Sequence, residues 1–184
     1  MRARSRAWRG FTLVEVLVAL IIIGVGMLGI AKIQALAYAS TGTASLRALA
    51  ALEASSLAAS MRANRGYWST QAATANQTIT SSLTNITAST DAVLTNVYNC
   101  AFGGGNAPCS AQQMAAYDLH QWVSAINTLL PNVTSTVFCA KPTTAGYPID
   151  CTIQLSWSER NVGINTQSQG NAMALPTYTL YVEP

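Results

Sequence analysis

Arg9-Gly10-Phe11-Thr12-Leu13-Val14-Glu15-Val16 heads an apolar run that continues to Ile30. Upstream lies a short hydrophilic stretch, residues 1–9, that carries Arg2, Arg4, Arg6 and Arg9 and no acid. A basic head followed by about 20 mostly apolar residues is the layout of a membrane-targeting segment. An ordinary secretory peptide places its small residues after the apolar segment, so that the greasy part is discarded. Here a glycine, Gly10, stands before it. Scission after Gly10 would leave a chain that begins with its own hydrophobic helix.

Glu15 is the one charge between Arg9 and Lys32. A carboxylate at the centre of a spanning helix costs about 2.5–3.5 kcal/mol, and less near an end. A plain anchor would gain from Leu at this position. Ionisable groups within membranes usually pair, so Glu15 implies a partner. The simpler alternatives are an uncleaved single-pass anchor and a Glu15 that snorkels to the interface.

These residues resemble the class III leader of the type IV pilin family. Gly10 matches the last leader residue, Phe11 the new amino terminus, and Glu15 the fifth residue after the cut. The resemblance implies that a prepilin peptidase cleaves between Gly10 and Phe11 and N-methylates Phe11. It also implies that Glu15 pairs with the Phe11 amine of a neighbouring subunit and so sets axial register in a filament. Family members often have a kinking proline near the position of Lys32, and this chain departs from that pattern.

The implied fold class is α+β, the type IV pilin fold. A long amino-terminal helix, half transmembrane and half amphipathic, packs on an antiparallel sheet, with a further short helix and two disulfides. The expected segments are a leader (1–10), a transmembrane polymerisation helix (11–32), an amphipathic half-helix (33–65) and a globular head (66–184).

The formal charge of +3 misleads. Ten basic residues less the four leader arginines leave six against seven acids. Beyond Arg65 only Lys141 and Arg160 oppose Asp91, Asp118, Asp150, Glu159 and Glu183. Nucleic-acid binding normally needs a basic stripe, and this half lacks one. The leader arginines instead hold the amino terminus in the cytoplasm, which puts the head in the periplasm or outside the cell. There Cys100, Cys109, Cys139 and Cys151 read as two disulfides. Of three connectivities, Cys100–Cys109 closes a short loop through Gly103, Gly104 and Gly105, and Cys139–Cys151 joins two strands. Because no C-x2-C pair occurs, a zinc site is disfavoured, and no metal or cofactor is expected.

No proline falls between residues 11 and 65, so one long helix is expected there. Leu46, Leu49, Ala50, Ala54, Leu57 and Met61 fall on one stripe at the helical period, suited to packing on a sheet. Glu53 lies near the centre of that stripe. Residues 66–112 are rich in Thr, Ser, Asn and Ala and read as a long connection with short turns. The three Asn-x-Thr sequons at Asn76, Asn85 and Asn132 are what such a composition produces by chance. A second helix is expected from Ala111 to Leu130, stopped by Pro131. Three strands follow, at about 135–140, 149–158 and 176–182, on alternation and β-branching. Residues 161–171 form a polar candidate contact loop.

His120 is the single histidine, and Asp118, two residues away, cannot face it on a helix. The expected role of His120 is a helix-surface side chain bonded to backbone. With no nucleophile elbow, phosphate loop or metal cluster, the chain reads as a non-enzyme. Asp118, Trp122 and Leu129-Leu130-Pro131, together with the run from Cys151 to Trp157, resemble PilV-type minor pilins.

That resemblance implies a minor pilin of the type IV pilus, which sits in the inner membrane as a precursor and then enters the fibre. It would prime assembly with other minor pilins at the tip and support twitching motility and adhesion. Its partners would be the major pilin, the prepilin peptidase, the inner-membrane assembly machinery and a tip adhesin. The alternatives are a type II secretion pseudopilin and a membrane-anchored periplasmic enzyme or binding module.

Overall fold

The computed structural model describes residues 10–101, 108–144, 147–159 and 175–184. Residues 1–9 of the expected leader, the Gly103–105 loop, Arg160 and the candidate contact loop at 161–171 lie outside the described residues. The chain divides into two compact units, residues 1–41 and 42–184.

The described part of the first unit is helical from Leu13, within helix α1 (Leu13–Ala63). An 18-residue window of α1 has a mean hydropathy of 2.7 and none of it is buried within the protein. A core helix of a soluble domain would bury such a surface. This one leaves Leu17, Ile21, Ile22, Val25 and Leu28 exposed, as a membrane or a lateral helix partner requires. Beyond the helix's own neighbouring backbone, no described atom lies within 4 Å of a Cβ built at Gly24, Gly26 or Gly29. No contact among the described residues therefore demands glycine at those positions.

The second unit is an α+β head. Its elements are the end of α1, α2 (Arg65–Thr74), β1 (Gln77–Ser82), β2 (Asn85–Ser89), a 3-10 turn (Ala92–Thr95), α3 (Ala111–Leu129), β3 (Thr134–Cys139), β4 (Cys151–Ser156) and β5 (Thr177–Val182). The five strands form one antiparallel sheet in the order β2-β1-β3-β4-β5. The register aligns Ile79, Val137, Ile153 and Leu180 in one row across the core face. Ser81, Ser135, Leu155 and Tyr178 form the next row, and Gln77, Cys139, Cys151 and Val182 the one beyond it.

Against this face pack Ala50, Ala54, Leu57, Ala58 and Met61 of α1 and Leu119, Trp122, Val123 and Ile126 of α3. Small alanines alternate with Leu57 and Met61, which lets the helix lie close to its neighbours. Leu46 and Leu49 sit at the margin of the cluster. The Trp122 Nε1–H donates to the Glu53 carbonyl at 2.8 Å, so the half-buried position of Glu53 is pinned through its backbone.

α3 starts where its sequence says it should. Ser110 accepts the Gln113 N–H at 3.2 Å, and the Gln113 side chain accepts the Ser110 N–H at 2.9 Å, a reciprocal capping box.

The polar stretch 66–112 is corrected by the structure. Instead of a connection with short turns it contains α2, β1, β2 and the 3-10 turn. β1 is an interior strand, hydrogen-bonded to both β2 and β3. It tolerates hydroxyls on its core face because Ser81 and Ser135 bond to each other across the strand pair. Buried Tyr67, Trp68, Ile86 and Leu94 supply the apolar cover that β1 itself lacks.

Candidate assembly site at the amino terminus

The start of α1 is organised by Thr12. The Glu15 N–H donates to the Thr12 hydroxyl at 3.3 Å and to the Thr12 carbonyl at 3.1 Å, and the Val16 N–H donates to the same carbonyl at 3.3 Å. Thr12 is thus the N-cap and Glu15 the third helical residue, the Thr-x-x-Glu spacing of a capping box. Glu15 also stands in the first turn, where the exposed N–H groups of the helix favour a negative charge. A carboxylate here complements its own helix end and is exposed. The spacing was present in the sequence, but the apolar run drew the reading toward Glu15 alone.

Gly10 and Phe11 precede the helix and are exposed, Phe11 by 80%. A peptide bond in this non-helical segment is open to a protease, whereas the bonds from Leu13 onward are locked in the α1 ladder. Gly10, Phe11 and Glu15 therefore fall within one short segment, with Thr12 between them.

In the head, the Cys100 and Cys109 sulfurs are bonded at 1.99 Å and the Cys139 and Cys151 sulfurs at 1.98 Å. Cys139 and Cys151 are direct partners in the β3–β4 register. No described group of three or more His, Cys, Asp or Glu could hold a metal ion.

His120 departs from expectation. Its Nε2 is enclosed and makes no hydrogen bond among the described residues, where a bond to backbone was anticipated. Asp118 lies on the same helix, and burial pushes its carboxyl pKa up.

Two polar clusters of the head were not legible in the sequence. The Asp91 carboxylate accepts the Tyr67 O–H at 2.8 Å, a Gln112 side-chain N–H at 2.7 Å and the Val93 N–H at 3.0 Å. Burial tends to raise the Asp91 pKa, but the three donors outweigh it and hold the carboxyl below its ordinary value. Burial, reinforced by the Asp91 charge, pushes the Tyr67 phenol far up. The second cluster joins Arg47 of α1 to buried Glu159. The guanidinium donates from Nε at 3.2 Å and from Nη2 at 3.1 Å to the two carboxylate oxygens. The Trp157 Nε1–H adds a third donor at 3.2 Å. The hydrogen bonds and charge of Glu159 raise the Arg47 pKa still further.

Residues 9–31 match the prokaryotic N-terminal methylation motif. No curated protein and no solved structure matches the chain. The match covers the segment that Gly10, Phe11, Thr12 and Glu15 occupy, and stops within α1. With the α+β head behind it, the motif supports a type IV pilin-like or pseudopilin protein, anchored in the membrane as a precursor. The motif suggests a structural subunit.

Proposed function

We propose that this chain is a minor pilin of the type IV pilus, similar to the PilV type. The observation that carries the reading is a methylation motif at residues 9–31 on an unburied apolar helix that leads into a disulfide-bonded α+β head.

The precursor sits in the inner membrane with residues 1–10 in the cytoplasm and 66–184 in the periplasm. Prepilin peptidase removes the leader after Gly10 and methylates the Phe11 amine. Residues 11–32 then serve as the polymerisation helix, and residues 33–65 carry the head. As the subunit leaves the bilayer, Glu15 pairs with the charged amine of a neighbouring Phe11. The pair satisfies a carboxylate that lipid would penalise, and it fixes axial register. The apolar faces of neighbouring helices replace lipid contacts. A separate ATPase supplies the energy, since the chain itself has no proposed catalytic role. With other minor pilins it primes assembly at the tip, next to a tip adhesin and the major pilin, and so supports twitching motility and surface attachment.

The amino-terminal motif is shared by pseudopilins of type II secretion. Two disulfides in the head favour the pilus reading, because a fibre exposed outside the cell gains from covalent stapling. The test is a deletion strain complemented with the native chain or with Glu15→Val, scored for surface pili and for protease secretion. Loss of pili with secretion intact is the expected deletion phenotype, and Glu15→Val should fail to restore normal piliation. Loss of secretion with motility intact would move the protein to the secretion system.

A further inference from the structure

One face of the head gathers three cations that have no ion-pair partner among the described residues. Arg62 of α1, Arg65 of α2 and Lys141 of the β3–β4 connection line a cleft of about 830 Å³. In the described part of the head the other basic residue is Arg47, which Glu159 already neutralises. Pro184 also lines the cleft, and the acidic side chain on its described wall is Glu183. The Glu183 carbonyl accepts the Arg62 Nε–H at 3.4 Å, which ties the chain after β5 to α1. Elsewhere the described head carries the part-buried acids Glu53, Asp91 and Asp118 and the exposed Asp150, so its described basic side chains other than Arg47 are gathered at this cleft.

The rest of the wall is not that of a plain ion site. Thr143 and Thr144 also line the cleft, and Tyr147, 69% exposed, stands at the same loop. The Lys141 N–H donates to the Asn76 side chain at 2.8 Å, which anchors this loop to the start of β1. Arginine forks and an ammonium group bind carboxylates and sulfates. Hydroxyls bond sugar hydroxyls, and an exposed aromatic face stacks on the apolar face of a pyranose. The volume lies within the range of small-ligand clefts. A nucleic acid fits less well, because its phosphates would extend beyond three cations.

We propose that this cleft binds an anionic sugar unit of a glycan, with Arg65 and Lys141 on the negative group and Tyr147 against the ring. The assignment stands on the cleft alone and does not depend on the pilus reading.

The experiment is calorimetric titration of the full chain in neutral-detergent micelles. The probes are a galacturonate trisaccharide, a sulfated trisaccharide, a neutral trisaccharide and a short single-stranded oligonucleotide. Saturable binding of the uronate, the sulfated sugar or both is expected, weakening as salt rises, and the two arms decide which negative group is read. Arg65→Gln and Lys141→Gln should each weaken binding about tenfold, the worth of one charge-assisted bond. Tyr147→Ala should weaken binding without changing its salt dependence. All three side chains are exposed, so each variant should keep the native melting temperature. No binding of either anionic sugar, equal binding of the neutral sugar, tighter binding of the oligonucleotide, or indifference to Arg65→Gln and Lys141→Gln would overturn the proposal.

Discussion

The Thr12 hydroxyl accepts the Glu15 N–H at 3.3 Å, so the residue proposed to guide assembly sits three positions inside a helix that its own neighbour caps. The cap and the carboxylate are separable by mutation. Thr12→Ala should cost about 1 kcal/mol of local helix stability and fray the first turn, while the Glu15 charge remains. Thr12→Ala is therefore expected to slow filament incorporation, and Glu15→Val to abolish normal incorporation. Thr12→Ser should behave as wild type. Pilus yield by shear and immunoblot checks the order.

Asp91 ties α2, the 3-10 turn and α3 through Tyr67, Val93 and Gln112. Its depressed pKa means that its contribution is present above the ordinary aspartate range and is lost as pH falls through the lower folded value. The melting temperature should fall on acidification below about pH 4, and Asp91→Asn should flatten that fall. The raised Tyr67 pKa has the opposite sense: its contribution is full below the usual phenol value and declines as pH rises above about 10. Tyr67→Phe should cost about 1–3 kcal/mol at neutral pH. Thermal melts across pH measure both limbs.

Asp118 runs the other way. Burial raises its pKa without a compensating donor, so the charged form opposes folding at neutral pH. Asp118→Asn should raise the melting temperature at pH 7. The gain should vanish once the wild-type carboxyl is protonated, below its ordinary pKa near 4.

Removing Arg47 leaves the Glu159 carboxylate buried with Trp157 Nε1 as its remaining donor among the described residues. Breaking one side of such a pair is worse than losing both. Arg47→Met should therefore lower the melting temperature, and adding Glu159→Gln to it should recover part of the loss. A double-mutant cycle reads the coupling.

The Cys139–Cys151 bridge spans 12 positions and Cys100–Cys109 spans 9. By loop-closure entropy each stabilises by about 3 kcal/mol. Serine at both cysteines of one bridge should lower the free energy of unfolding by that order, and reductant should lower the melting temperature of wild type. Denaturant titration with and without reductant gives the values.

The readable parts of this chain were those in which one periodic signal dominated. The run from Phe11 to Ile30 announces a helix that water will not cover, and its exposure in the structure matches. α3 carried both an apolar stripe and the stop at Pro131, and lies at Ala111–Leu129. Strands β3, β4 and β5 fall within one or two residues of their expected ends, because Val137, Ile153, Leu155 and Leu180 alternate with polar residues. β1 was illegible because Ile79 is its one apolar side chain, and its place in the sheet depends on a hydroxyl pair with Ser135, 54 residues away. The Arg47–Glu159 pair spans 112 residues, and no local pattern encodes such a contact. The enclosed His120 Nε2 likewise follows from what packs over α3, which helix periodicity does not specify.

The account rests on scission ahead of the apolar helix. Intact-mass and amino-terminal analysis of the chain recovered from cells that contain prepilin peptidase tests it most directly. The mature protein should begin at Phe11 with a methylated amine and lack residues 1–10, and the uncut precursor should accumulate when the peptidase is deleted. A chain that retains its arginine-rich leader in the presence of active peptidase would contradict the account.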